Sequence, residues 1–383
     1  MVAKMLKKTA FLLLAVAIVQ VSSEYIEPQF IEDVIQEQSR TSLGPRIVSG
    51  WDAKLGQHPH QAHMRMTNAA GGVSTCGGCF VHHDWMITAA HCTATRVSLL
   101  IRGGMISLSE TPEYMSETNE FWNYPSYDNS IPQIVQPNDI SIVKLQEPIV
   151  YTRNLKPIRI QPSADANRNF GEITLHASGF GATWTGGSGS QVLQWVYLRG
   201  VSNLLCGLTF GTTIVTDTTI CAQWFNVTSQ SICQGDSGGP LVYTYPEGKI
   251  FLVGVTSFTA GANSGGCHSG LPAAFIRPGH FHDWYTEVTG IDFENLDEVE
   301  DETTTTPPTT LPPTTVPPTT EPPTPLPPTT PEGDSNEEGS DEDDTSEEDE
   351  DLPELLKRLQ VKVKVKVKVN QFRKKVRVVK KIH

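Results

Sequence analysis

At 383 residues the chain is long enough for about two or three domains. Its formal net charge of −14 sits largely in one acidic run near the C-terminus, so charge is read segment by segment, and no specific nucleic-acid partner is expected. After the first twenty residues no stretch is long and apolar enough to span a bilayer. Lysines at 4, 7 and 8 precede the apolar run Phe11–Val19, and the small residues Ser22 and Ser23 follow. That order makes residues 1–23 a secretory signal peptide, with an uncleaved anchor as the alternative. A secreted, extracellular protein is expected, and disulfides with it. Residues 24–46 are polar, rather acidic and free of cysteine, and end Leu43-Gly44-Pro45-Arg46.

From Ile47 to about Gly290, short apolar runs are broken by Gly, Pro, Asn and Ser. Val97–Ile101, Ile140–Leu145, Leu193–Leu198 and Ile250–Val255 are examples. The pattern predicts an all-β domain over 47–292, long enough to bury a substantial core. Composition does not choose between sandwich and barrel. Residues 293–331 become a Thr/Pro-rich stalk, which cannot form a core; such stalks are often O-glycosylated. Residues 332–351 are an acidic segment read as solvated disorder. The tail, 352–383, is basic. Valine and lysine alternate strictly from Val361 to Val369, which on a strand puts all valines on one face. A hairpin turning near Asn370-Gln371 would need a partner to be stable. Four readings stand for this tail: docking to an anionic membrane surface or polyanion, pairing with the acidic segment, release as a cationic peptide, or no role.

The chemistry gathers at Ser231-Ile232-Cys233-Gln234-Gly235-Asp236-Ser237-Gly238-Gly239-Pro240. Small residues around a serine allow a sharp turn and close approach of a peptide. Such a turn can aim N–H groups at one developing oxyanion. Upstream lie Ile47-Val48-Ser49-Gly50, Thr88-Ala89-Ala90-His91-Cys92 and Asn138–Leu145. These four strings, in this order, resemble the chymotrypsin-type, trypsin-fold serine peptidases over about residues 47–290. The segment Ala260–Pro272 is most similar to arthropod chymotrypsin-like, brachyurin-type enzymes.

The resemblance implies two six-stranded antiparallel β-barrels and a closing helix over Phe281–Val288. His91 and Asp139 would come from the first barrel and Ser237 from the second. Ser237 would be the nucleophile, His91 its base, and Asp139 the holder of the imidazole. The N–H groups of Gly235 and Ser237 would form the oxyanion hole. It also implies disulfides Cys76–Cys92, Cys206–Cys221 and Cys233–Cys267. Of seven cysteines, Cys79 is left over and is expected to be a buried, inert thiol. A trypsin-like protease would cut after Arg46, and the new ammonium of Ile47 would pair with Asp236. The cysteine-free peptide before the cut is expected to leave.

Specificity follows from the same resemblance. Ser231 falls at the base of the primary pocket, where an uncharged residue leaves a cationic substrate side chain unpaired. The walls would be Ser257, Phe258, Thr259 and Ala273. Thr259 and Ala273 stand where chymotrypsins carry glycine, which favours medium or small apolar side chains. A chymotrypsin-like preference is expected, with an elastase-like one as the alternative. Asn226-Val227-Thr228 is a glycosylation acceptor. His58, His60, His63, His82, His83 and His176 are read as core or solvated residues rather than a metal site. No cofactor or metal is implied, partners are protein or peptide substrates, and a monomer is expected.

Overall fold

The computed structural model describes residues 25–30 and 50–296. The signal peptide, the Arg46–Ile47 junction, most of the stalk, the acidic segment and the basic tail lie outside the described residues. In chain order the strands are β1 (Pro28–Phe30), β2 (Trp51–Asp52), β3 (Gln61–Asn68), β4 (Val73–His82), β5 (Trp85–Thr88), β6 (Arg96–Gly103), β7 (Tyr114–Thr118) and β8 (Phe121–Asn123). They continue as β9 (Ser141–Lys144), β10 (Arg159–Ile160), β11 (Thr174–Gly179), β12 (Gln194–Val201), β13 (Thr219–Trp224), β14 (Pro240–Thr244), β15 (Ile250–Ala260) and β16 (Ala273–Ile276). Three α-helices accompany them: α1 (Ala90–Thr93), α2 (Asn203–Phe210) and α3 (His282–Thr289).

The first sheet runs β7-β6-β3-β4-β5-β9-β8, with every pairing antiparallel. Its two ends are consecutive in the chain, separated only by Asn119 and Glu120. The two ends thus form one bent ribbon, whose first half pairs with β6 and whose second half pairs with β9. At the bend Glu120 N–H donates to Thr118 Oγ1 at 3.1 Å, and Lys144 N–H donates to the Glu120 carbonyl at 2.9 Å. Alternation selects the inside. Tyr114, Ser116 and Thr118 of β7 are buried while Met115 and Glu117 face out. Met64, Phe80, Ile87, Leu99, Ile101 and Ile142 fill the interior.

The second sheet closes outright. β15, β14, β11, β12, β13 and β16 pair in turn, and β16 returns to β15. Its core includes Leu175, Val196, Leu198, Ile220, Leu241, Val253 and Phe275. Three short strands are added at its margins. β2 pairs with β12, β10 runs parallel to β15, and β1 pairs with the far end of β15. The expected mostly-β architecture is thus present as one closed barrel of six strands and one half-barrel.

Composition placed the end of the folded body at residue 292, and this needs correction. Phe293 is buried in the core of the first barrel, and Leu296 packs against it. Arg159 donates to the Leu296 carbonyl at 3.0 Å, and Ser163 N–H donates to Glu294 Oε1 at 2.6 Å. Phe293 and Leu296 together carry the packing through residue 296.

Candidate active site

His91 sits in the single turn of α1, directly after β5. Cys92 beside it is bonded to Cys76 of β4, which pins the turn to the first barrel. Asp139 lies two residues before β9, the neighbour of β5 in the sheet. Sheet pairing therefore delivers the two side chains to one place across a sequence separation of 48. Asp139 is fully buried, and its carboxylate accepts three hydrogen bonds. The His91 backbone N–H donates to Oδ1 at 2.8 Å. His91 Nδ1 meets Oδ2 at 2.6 Å, and the Ser257 hydroxyl donates to the same oxygen at 2.6 Å. A carboxylate acceptor fixes the proton on Nδ1 and leaves Nε2 as the acceptor nitrogen, with Cys92 Sγ 3.7 Å from it.

The turn carrying Ser237 abuts that group. Gly77 N–H donates to the Ser237 carbonyl at 2.7 Å, and Thr88 Oγ1 donates to the Gly77 carbonyl at 2.8 Å. Gly238 packs so closely here that a Cβ would lie 2.0 Å from Thr88 Oγ1 and 3.1 Å from Ala89 N. Its φ of +75° also requires glycine. The serine is thereby held against the residues that lead into α1. Its hydroxyl is buried and has no hydrogen-bond partner among the described residues. Such bonds often tighten only when substrate arrives. Gly235, at φ +94°, lies in the same turn. Among the described residues, neither the Gly235 N–H nor the Ser237 N–H donates to a backbone carbonyl. Asp236 is buried, accepting from Gly181 N–H at 2.8 Å and Cys233 N–H at 2.9 Å.

A family model described as Trypsin matches residues 47–285. The chain belongs to the trypsin family. It is a serine endopeptidase by that membership. The collagenase of Hypoderma lineatum is 32% identical over 252 residues, 65% of this chain and 89% of that protein. Brachyurin of Leptuca pugilator is 32% identical over 248 residues, 64% of this chain and 99% of that protein. The solved structure of HL collagenase matches with a TM-score of 0.56 at 30% identity, covering 64% of this chain and 99% of that one.

This trypsin-family peptidase carries the three expected disulfides, Cys76–Cys92, Cys206–Cys221 and Cys233–Cys267. Cys79 is free and buried in β4, and burial holds its thiol well above the usual range. The pocket candidates are all buried. Ser257, Phe258 and Thr259 are buried on β15, where Phe258 pairs with Ala274 of β16 and so neighbours Ala273. Ser231 is buried six residues before Ser237, and the Cys233–Cys267 bridge ties that run to the loop leading into β16. Asn226 is exposed in the loop after β13.

Two findings were not visible in the sequence. Ser257, expected only as a pocket wall, hydrogen-bonds Asp139 across a sequence separation of 118. The peptide before Arg46, expected to leave once cut, stacks Phe30 on the His91 ring. The histidines also divide. His58, His60 and His63 are buried, and His176 is half-buried. Burial lowers His58 to about 3, His63 to about 4 and His176 to about 4. His82 and His83 do meet a carboxylate, that of the next residue, with Asp84 Oδ2 at 3.7 Å and 2.9 Å. Asp84 also pairs with Lys144 at 3.3 Å. The ligand-type group Cys76, His91 and Cys92 offers no thiolate, because both sulfurs are in a disulfide.

Proposed function

We propose that the protein is secreted as a zymogen, is activated by cleavage after Arg46, and hydrolyses peptide bonds after uncharged apolar residues. Ser237 Oγ attacks the scissile carbonyl carbon while its proton passes to His91 Nε2. The carbonyl oxygen becomes an oxyanion held by the N–H groups of Gly235 and Ser237. His91 then gives the proton to the departing amine. Water repeats the sequence on the acyl-enzyme and frees Ser237. Asp139 keeps the imidazole in one tautomer and stabilises the imidazolium; these roles follow the family template. The observation that carries the reading is the buried Asp139–His91 contact of 2.6 Å, set beside the Ser237 turn.

Cleavage after Arg46 would free the Ile47 ammonium, for which the buried Asp236 carboxylate is the fitting partner. Breaking such a buried pair typically costs about 3–5 kcal/mol, enough to reshape the turn that bears Gly235 and Ser237. Asn226, exposed and in an acceptor triplet, would carry a glycan.

The buried, uncharged Ser231 supports rejection of Lys and Arg. Thr259 and Ala273 add volume at the walls and favour medium or small apolar side chains; the reading is chymotrypsin-like, with an elastase-like preference for small residues as the second reading. Pocket volume separates apolar side chains only modestly. A peptide library digested by the activated enzyme tests this, with collagen included because one relative bears that name. Cleavage after medium-sized apolar residues such as Leu is expected. Fast cleavage after Arg would overturn the assignment.

A further inference from the structure

The far end of β15 is where a peptide substrate would be held, because it carries Phe258 and Thr259 and adjoins Ser257, which bonds Asp139. β16 takes one side of it. On the other side the chain's own β1 is seated antiparallel, with Pro28 opposite Ala260, Gln29 opposite Thr259 and Phe30 opposite Phe258. The Phe30 ring stacks on His91 with centroids 4.1 Å apart and planes 25° apart. It is 2% exposed and shares a cluster with Val135, Phe258 and Phe210. Behind it, Ala262 N–H donates to Gln29 Oε1 at 3.1 Å and Gly261 N–H donates to the Glu27 carbonyl at 3.2 Å. Ile26 N–H donates to the Thr209 carbonyl at 2.8 Å, and the Tyr25 ring lies over Gly211. Pro28, which lacks an N–H, opens the strand, where proline is tolerated.

We infer that Tyr25–Phe30 is a built-in competitive inhibitor, seated as an added strand on the substrate-binding edge and capping the catalytic imidazole with Phe30. The inference rests on the serine-peptidase reading of the site. A substrate strand in the same register would place the residue after Phe30's position opposite Ser257 and its carbonyl before Ser237. Segment and substrate therefore exclude each other. The segment holds on through backbone pairing and one buried aromatic ring, neither of which depends on the Arg46–Ile47 bond. Cutting that bond frees the catalytic turn to rearrange, but the cleft opens only when the segment dissociates. Full activation then takes two events, of which the second is reversible and depends on concentration.

The probe is the synthetic peptide Tyr25–Phe30, acetylated and amidated, which ends before the residue that would meet Ser237 and so is not a substrate. Full-length protein is cut after Arg46 and separated from the released segment by gel filtration. Added peptide should raise KM and leave kcat unchanged, and the Phe30→Ala peptide should bind at least about tenfold more weakly. Full-length protein with Phe30→Ala should reach its final rate at once on cutting. The natural chain should show a lag on cutting and settle at a lower rate per enzyme, which rises on dilution. Fluorescence anisotropy of labelled peptide on cut Ser237→Ala protein reads occupancy without turnover, so an inactive catalytic centre cannot mask the result. No anisotropy change up to millimolar peptide, or equal binding of the Phe30→Ala peptide, would overturn the inference.

Discussion

Asp139 accepts hydrogen bonds from a ring, a backbone amide and a hydroxyl while wholly shielded from water. Replacing it with Asn would present an amide donor to Nδ1 and favour the wrong tautomer. Asp139→Asn is expected to lower kcat by about 10⁴, the loss known for this change in the family's template triad, with little effect on KM. Ser257→Ala removes one donor to a buried charge, typically worth about 1.5–3 kcal/mol. A fall in kcat of roughly ten- to a hundredfold is expected, without change of cleavage preference. Steady-state kinetics on one apolar ester substrate would compare both. At the pocket base, Ser231→Asp should gain cleavage after Arg and lose cleavage after Leu, read from a two-substrate competition.

At the level of elements, the edge where the two barrels meet gathers unusual histidines. The His58 ring lies 5.6 Å from His176, 6.2 Å from His60 and 5.9 Å from Trp195. Burial, and then the neighbouring His176, push His58 down to about 3, and burial pushes His176 down to about 4. Their folded-state values lie below the unfolded one, so the unfolded chain binds protons first as pH falls. Stability is therefore full above about pH 6.5. It declines between there and about pH 4, and further towards 3 for His58. Melting temperatures across that range should fall, and His176→Phe should flatten the slope. How much of this could be read beforehand depends on sequence distance. His91, Asp139 and Ser237 each sit in a contiguous string with its own signature, so these candidates could be picked out of the sequence, and the family resemblance implied the three disulfides that the structure carries. The Ser257–Asp139 bond, the stacking of Phe30 on His91 and the burial of Phe293 arise from strand register and packing, which no local string records. The bend at Asn119–Glu120 that joins the two ends of the first sheet is equally silent, because nothing there breaks the polarity of the run.

For the molecule as a whole, the order of events matters more than any one contact. A buried ammonium of Ile47 held by Asp236 would have its pKa raised above the unfolded value of about 8. Its stabilisation is full below that value and is lost as pH rises through the folded one. Activated protein should lose activity reversibly at alkaline pH, and acetylation of Ile47 should abolish it. The uncut chain, whose amino group is far away in sequence, should show no such transition in its fluorescence. The most direct test is labelling of the full-length protein by a serine-directed phosphonate before and after cleavage at Arg46, with the modified residue identified by mass spectrometry. Stoichiometric labelling of Ser237 only after the cut is expected. Absence of labelling after the cut, or equal labelling before it, would contradict a catalytic serine gated by processing.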